Sequence, residues 1–166
     1  MARKVFYTFR YADDSHRVQQ VKNMGAVEGQ PLLSTNGWED VKAGGDAAIQ
    51  KWIDDNMKGK SCDVVLIGSA TAGRKWVNYE VKKAWNDGRG LVGIHIHHLK
   101  NLSGQQSDKG RNPFDDFSVG SNSVRLSEVV KAYDPPYTTS TNAYSYIKDH
   151  IADWVEEAIT IRNEYS

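Results

Sequence analysis

Two side chains four positions apart, the indole of Trp76 and the carboxylate of Glu80, are the first candidates for chemistry in this sequence. A spacing of four places them on one stripe of a helix. The apolar, β-branched run at residues 64–67 precedes them and is typical of a buried parallel strand. The helix therefore follows the carboxyl end of a strand, where open α/β sheets bind ligands. A carboxylate there can stabilise a developing positive charge or hold a hydroxyl group.

Other interpretations of these signals are less chemical. Taken alone, Glu80 fits a solvated surface charge accompanied by a neighbouring lysine. His95, His97 and His98 suggest a metal site, because alternate strand residues share a face, but no cysteine joins them and no HExxH spacing is present. We therefore expect no metal site. The loop at residues 68–73 has neither the GxGxxG nor the Walker spacing of phosphate-binding motifs.

The composition is that of an ordinary globular domain, and we expect residues 1–166 to form a single one. The 21 basic and 21 acidic residues balance to a formal net charge of +0, so the positive footprint of a nucleic-acid binder is missing. Cys62 is the one cysteine and cannot form an internal disulfide, which fits a reducing compartment. The sequence has no signal-peptide pattern and no apolar stretch of membrane-spanning length. We expect a cytoplasmic protein without membrane attachment.

The start of the chain predicts one βα unit. Residues 4–9 are β-branched and aromatic, which predicts the first strand, and residues 10–14 form the loop at its carboxyl end. Asp14 or Ser15 can cap the helix that follows, and Gly25 ends it.

Residues 25–46 are less regular, because glycines and Pro31 interrupt every apolar run. We expect a long connection at the ligand end of the sheet, with a brief second strand near residues 32–33. From Asp46 the apolar residues recur at helical spacing, and Gly59 ends that helix.

The rest of the chain continues the alternation of strands and helices. A polar excursion, residues 100–123, interrupts it. The predicted elements are strands at residues 64–67, 91–99 and around 129–130, the helix that carries Trp76 and Glu80, and a last helix capped by Thr141 or Asn142. Such alternation predicts an α/β domain with a flavodoxin-like, doubly wound and mostly parallel sheet of about five strands.

Two segments carry a resemblance to a known family. Residues 64–81, VVLIGSATAGRKWVNYEV, resemble the TIR-domain segment in which a buried strand ends in a small polar residue and a tryptophan precedes a glutamate by four. Ser69, Trp76 and Glu80 fit that pattern. Residues 4–14, KVFYTFRYADD, resemble the TIR opening strand with its Phe-Arg pair. Over residues 4–117 the chain looks closest to the TIR-like proteins of the bacterial Thoeris antiphage system.

The resemblance implies an enzyme that consumes NAD as its substrate and needs no further cofactor. Glu80 would act at the nicotinamide ribose, nicotinamide would leave, and a cyclic ADP-ribose isomer would form as a signal for a separate NAD-binding effector protein. The resemblance leaves a homo-oligomer open, since the loop that TIR domains use for assembly is atypical in this sequence. Its site residues, besides Glu80, are candidates for binding the substrate: Phe9, Arg10, Tyr11, Trp38, Ser69 and Trp76.

The sequence also departs from the TIR pattern, with Arg74 and Val77 where a serine and a cysteine are common. Arg74 fits either a contact with the NAD pyrophosphate or a solvated loop side chain. The candidate aromatic residues fit core packing as well as they fit stacking on a ligand. A non-catalytic TIR-like adaptor that binds a nucleotide or a protein partner is the alternative.

Overall fold

The computed structural model describes residues 2–165 and centres on a parallel sheet. Four strands lie side by side in the order β1-β2-β3-β6, and a short antiparallel pair, β4 and β5, stands apart. The strands are β1 Val5–Thr8, β2 Cys62–Ile67, β3 Gly90–His95, β4 Ser118–Val119, β5 Val124–Arg125 and β6 Ala132–Tyr133. The register pairs Val5 with Cys62, Cys62 with Gly90 and Gly93 with Ala132.

Helices cover both faces of this sheet. They are α1 Tyr11–Asn23, α2 Thr35–Ala43, α3 Gly45–Met57, α4 Lys75–Asn86 and α5 Ser140–Glu164. Val64 and Leu66 of β2 pack with α1 and α5, whereas Val65 and Ile67 pack with α3 and α4. Every residue of β1, β2 and β3 is buried, as in parallel sheets covered on two sides. The predicted α/β, flavodoxin-like, doubly wound fold is confirmed.

The sheet has four strands rather than five, because the strand predicted near residues 32–33 is absent. The side-chain amide of Gln30 takes its place beside β1. Its Nε2 donates to the carbonyl of Tyr7 at 3.0 Å, and the Tyr7 N–H donates to its Oε1 at 2.9 Å. Pro31 comes next and has no N–H to continue a ladder. The chain then turns into α2, a helix within the predicted loop, where the Ser34 hydroxyl accepts from the Gly37 N–H at 3.0 Å.

The first helix begins earlier than predicted. The loop expected at residues 10–14 is the start of α1, and the Asp14 N–H donates to the Arg10 carbonyl. Asp13 and Asp14 therefore lie in the first helical turn, where acidic side chains interact favourably with the helix dipole. Asp14 is buried and pairs with Arg17, their Oδ1 and Nη1 atoms lying 2.7 Å apart.

Three further boundaries differ from the predictions. The third strand ends at His95 and the chain turns at residues 97–99. The strand predicted around residues 129–130 lies at β6, because the Val130 N–H bonds back to the Leu126 carbonyl in a turn. The last helix begins at Ser140, capped by Thr139.

Part of the polar excursion packs on the core. It contains a single 3₁₀ turn, Pro113–Asp116, whose Phe114 is fully buried. Across residues 2–165, each helix is too short or too polar to cross a bilayer.

Candidate active site

A cleft of about 480 Å³ opens at the carboxyl ends of β1 and β2, between the helices α1 to α4. Aromatic rings form most of its walls, and basic side chains stand around it. The aromatic residues are Phe6, Tyr7, Phe9, Tyr11, Trp38, Trp52 and Trp76, and the basic residues are Arg10, Lys42, Arg74 and Lys75. Glu80 is the one acidic side chain that lines it among the described residues.

The cleft brings together six of the seven residues predicted from the sequence. They are Phe9, Arg10, Tyr11, Trp38, Trp76 and Glu80. Ser69 does not line the cleft and its side chain is exposed. The loop that carries it is covered by the excursion, since a Cβ atom on Gly110 would lie 2.0 Å from the Gly68 carbonyl oxygen. The predicted contact of Ser69 with a substrate therefore has no support from this geometry.

Glu80 lies in the second turn of α4 and is 8% exposed. Burial raises the pKa of its carboxyl well above the usual value, and the nearby charge of Asp63 raises that pKa further. The Thr8 hydroxyl opposes both effects. Glu80 is therefore a carboxyl at the edge of a cavity, and its surroundings favour the neutral form.

Asp63 lies beneath Glu80 and was not found from the sequence. It is fully buried on β2, and its Oδ1 accepts a hydrogen bond from the Thr8 hydroxyl at 2.7 Å. Its Oδ2 has no hydrogen-bond partner within residues 2–165. Burial raises the pKa of Asp63 to about 8, although Thr8 and Arg89 lower it. The signal that could have revealed it is an aspartate inside the otherwise apolar strand CDVVLI.

Asp63 and Glu80 form a pair of coupled carboxyls. Alternation along β1 and β2 points Thr8 and Asp63 to the face that α4 covers, so both lie near Glu80. Two carboxylates in such a dry place cannot both be ionised at low cost. At neutral pH at most one of them carries a charge.

Aromatic rings make a continuous wall from α1 to α3. The rings of Tyr11 and Trp38 stack with centroids 5.7 Å apart. Trp38 meets Trp52 edge to face at 6.4 Å, and Trp52 meets Phe6 at 6.2 Å. The Tyr11 hydroxyl donates to the Leu33 carbonyl, which fixes its ring. Flat, partly exposed rings of this kind suit a planar ligand group.

The basic side chains around the cleft make only weak contacts with the protein. Arg10 lies 3.2 Å from Asp13, and Lys42 lies 3.3 Å from Glu39. Arg74 donates to a backbone carbonyl at the protein surface. Exposed ion pairs of this kind contribute about 0–1 kcal/mol each to the stability of the fold. An anionic ligand group can therefore replace their partners at little cost.

Every residue that lines the cleft lies within a region that matches a known family. The model of the family described as "Thoeris protein ThsB, TIR-like domain" matches residues 6–101, which is more than half of the chain. The chain belongs to this family. The resemblance to Thoeris TIR-like proteins is thereby confirmed, and the cleft of this ThsB-type TIR-like domain includes Trp76 and Glu80 at the predicted spacing.

A relative from Bacillus cereus (strain MSX-D12), provisionally named cyclic ADP-D-ribose synthase ThsB1, is 37% identical over 120 residues. The alignment covers 69% of this chain and 62% of the relative. This TIR-like chain thus matches less than two thirds of the relative's length.

Proposed function

We propose that this chain cleaves the nicotinamide glycosidic bond of NAD, with Glu80 as the catalytic carboxylate. The observation that carries the proposal is the position of Glu80: a buried carboxyl at the edge of an aromatic, basic-rimmed cleft. The name of the Bacillus cereus relative supports the same class of reaction. NAD offers what this cleft accommodates, namely two planar ring systems joined by a pyrophosphate.

The reaction needs a negative charge more than it needs an acid. When the bond between the ribose C1′ and the pyridinium nitrogen breaks, the bonding electrons go to nicotinamide, which leaves as a neutral molecule. The ribose then carries the positive charge of an oxocarbenium ion, which an ionised Glu80 can stabilise. Because the surroundings of Glu80 favour its neutral form, turnover requires its ionisation.

The side chains that line the cleft can also bind the substrate and keep water away from the reacting carbon. The stacked rings of Tyr11 and Trp38 can hold one planar group of the substrate, and Phe9 and Trp76 can exclude water from the reacting carbon. Arg10 and the exposed basic groups beside it can meet the pyrophosphate.

We further infer that the product is a cyclic ADP-ribose isomer rather than free ADP-ribose. Cyclisation requires the adenine end or a ribose hydroxyl of the same molecule to reach C1′ before water does. A cleft with a continuous aromatic wall favours that outcome. The cyclic product would then act on a separate NAD-binding effector protein.

A non-catalytic adaptor remains the second candidate, and one observation favours it. A protonated, neutral Glu80 beside buried Asp63 fits a cleft that binds a nucleotide without breaking it. Tight NAD binding without any nicotinamide release, in cell extract as well as in buffer, would support the adaptor.

The experiment compares wild type, Glu80→Gln and Glu39→Gln. Each full chain is incubated with NAD, alone and in extract from phage-infected cells, because enzymes of this family can require an infection cue. Nicotinamide release is followed by chromatography and the product by mass and connectivity. We expect Glu80→Gln to lose activity by at least ~100-fold. Glu39 is exposed on α2, so Glu39→Gln should match wild type. A Glu80→Gln variant as active as wild type would overturn the assigned role.

A further inference from the structure

A second group of side chains lies outside the cleft, where β3 ends and β6 ends. His97, His98 and Asp134 each offer one ligand atom, and these atoms lie within 4.8 Å of one another. The two histidines belong to the turn after β3, and Asp134 follows β6 directly. None of the three lines the cleft. Asp134 also lies beyond the region that the family model matches.

His97 is buried and His98 is half-buried, and each ring has a nitrogen without a hydrogen-bond partner among residues 2–165. His97 is 4% exposed, and the ring centroids of His97 and His98 are 4.0 Å apart. The Nδ1 atoms of both rings, and of His95 beside them, make no hydrogen bond within residues 2–165. A buried polar atom without a partner costs about 1–3 kcal/mol.

We propose that His97, His98 and Asp134 bind a divalent transition-metal ion of the zinc class. Two imidazoles and one carboxylate are a ligand set that zinc accepts, with a fourth position left for water or another group. The ring of His95 lies beside the group, with its centroid 5.9 Å from that of His97.

The carboxylate of Asp134 can serve the ion and keep its present partner. Its Oδ2 lies 3.1 Å from the Lys109 ammonium group. The other oxygen remains for the ion, because an ionised carboxylate accepts at both oxygens. The unpartnered ring nitrogens and this second oxygen thus point to one site.

The ion would add a link between two segments that the pairing of β3 with β6 already brings together. Gln106 connects the same segments, since its Nε2 donates to the carbonyls of His98 at 2.9 Å and Thr138 at 2.6 Å. A metal at this site therefore stabilises the turn after β3 against the segment that leads from β6 to α5. It would do so without taking part in the chemistry of the cleft.

The test titrates the untagged full chain with Zn²⁺ against a chromophoric chelator and records the visible spectrum of the chain with Co²⁺. We expect one tight site per chain, tetrahedral cobalt bands and a rise in Tm with zinc. His98→Ala and Asp134→Asn should each weaken binding by at least ~10-fold and abolish the rise in Tm. Asp134 is exposed, so its variant tests the site without disturbing the core.

His16→Ala is the matched control, because His16 is exposed on α1 and far in sequence from the site. It should bind zinc as wild type does. Zinc binding that His98→Ala and Asp134→Asn leave unchanged would overturn the proposal, as would the absence of any stoichiometric binding. These measurements use no NAD, so their outcome is independent of the proposed enzymatic activity.

Discussion

The Thr8 hydroxyl donates to Asp63 Oδ1 at 2.7 Å, and this contact joins β1 to β2 directly beneath the glutamate of the cleft. A hydroxyl has one proton to donate, so Thr8 can serve only one carboxyl at a time. The protonation of Asp63 and that of Glu80 are consequently linked. Changing either residue should alter the titration of the other.

Asp63→Asn should abolish a decrease in stability that wild type undergoes as the pH rises. Burial raises the pKa of Asp63 to about 8, so the folded chain keeps a proton that the unfolded chain has released. The free energy of unfolding of wild type therefore falls as pH rises from about 4 to about 8. Between about pH 5 and about pH 8, the variant should gain on the order of 4 kcal/mol relative to wild type. Urea unfolding at the two pH values measures this gain.

The control for that experiment is Asp55→Asn. Asp55 is exposed, and its hydrogen bond with Lys51 lowers its pKa. Its titration is complete below about pH 5, so its stability relative to wild type should stay constant over the same range. If the free energy of unfolding of Asp63→Asn fell with pH as steeply as that of wild type, another group would be the one that releases the proton.

Asp63→Asn should also shift the pH dependence of NAD cleavage. Burial is the main cause of the raised pKa of Glu80, and the charge of Asp63 is the second. Because the ionised form of Glu80 is the active one, kcat/KM of wild type rises with pH through that raised pKa. Without the neighbouring charge, the rising part of the pH profile should move to lower pH. Rates of nicotinamide release across pH test this; a profile that does not move would contradict it.

Trp38→Ala should weaken substrate binding and increase hydrolysis. Trp38 stacks on Tyr11 and belongs to the aromatic wall. Its loss removes a stacking contact of about 0.5–1.5 kcal/mol, so KM for NAD should rise up to about 10-fold. Water then gains access, and the ratio of linear to cyclic product should increase. Tyr137→Ala removes an exposed aromatic ring outside the cleft and should leave both quantities unchanged.

Arg17→Met should destabilise the fold. Arg17 and Asp14 are both buried and lie 2.7 Å apart. Arg17 also donates to the carbonyls of Leu99 and Gln105, which ties α1 to the excursion. Leaving Asp14 buried without its cation costs about 3–5 kcal/mol. Adding Asp14→Asn should recover part of that loss, and chemical denaturation of the single and double variants measures the recovery.

The β2–α4 segment was predictable because its signals are local. The continuous apolar run fits a strand buried on both faces, and the helical spacing of Val77 and Val81 fits the helix that covers it. Both patterns are complete within a few residues. The resemblance to TIR domains, carried by the spacing of Trp76 and Glu80 and by the Phe-Arg pair, then identified six of the residues that line the cleft.

Residues 25–46 were not predictable in the same way, because side chains rather than backbone pattern decide their structure. Gln30 satisfies the edge of β1 through its amide, and no local propensity reveals such a contact. The glycine in α2 argued against a helix, yet Ser34 caps that helix and Trp38 anchors it in the aromatic wall. Asp63 was not predicted for a related reason. Its place in the site depends on Thr8 and α4, which are distant from it in the sequence.

The amide of Gln30 has a consequence for how copies of this chain can meet. An open strand edge invites another chain to extend the sheet by β-augmentation. On β1, both backbone hydrogen-bonding groups of Tyr7 are already taken by Gln30, and the Val5 N–H by the carbonyl of Glu28. A foreign strand would have to displace a side chain that is 1% exposed. Self-association by sheet extension is thus blocked at this edge.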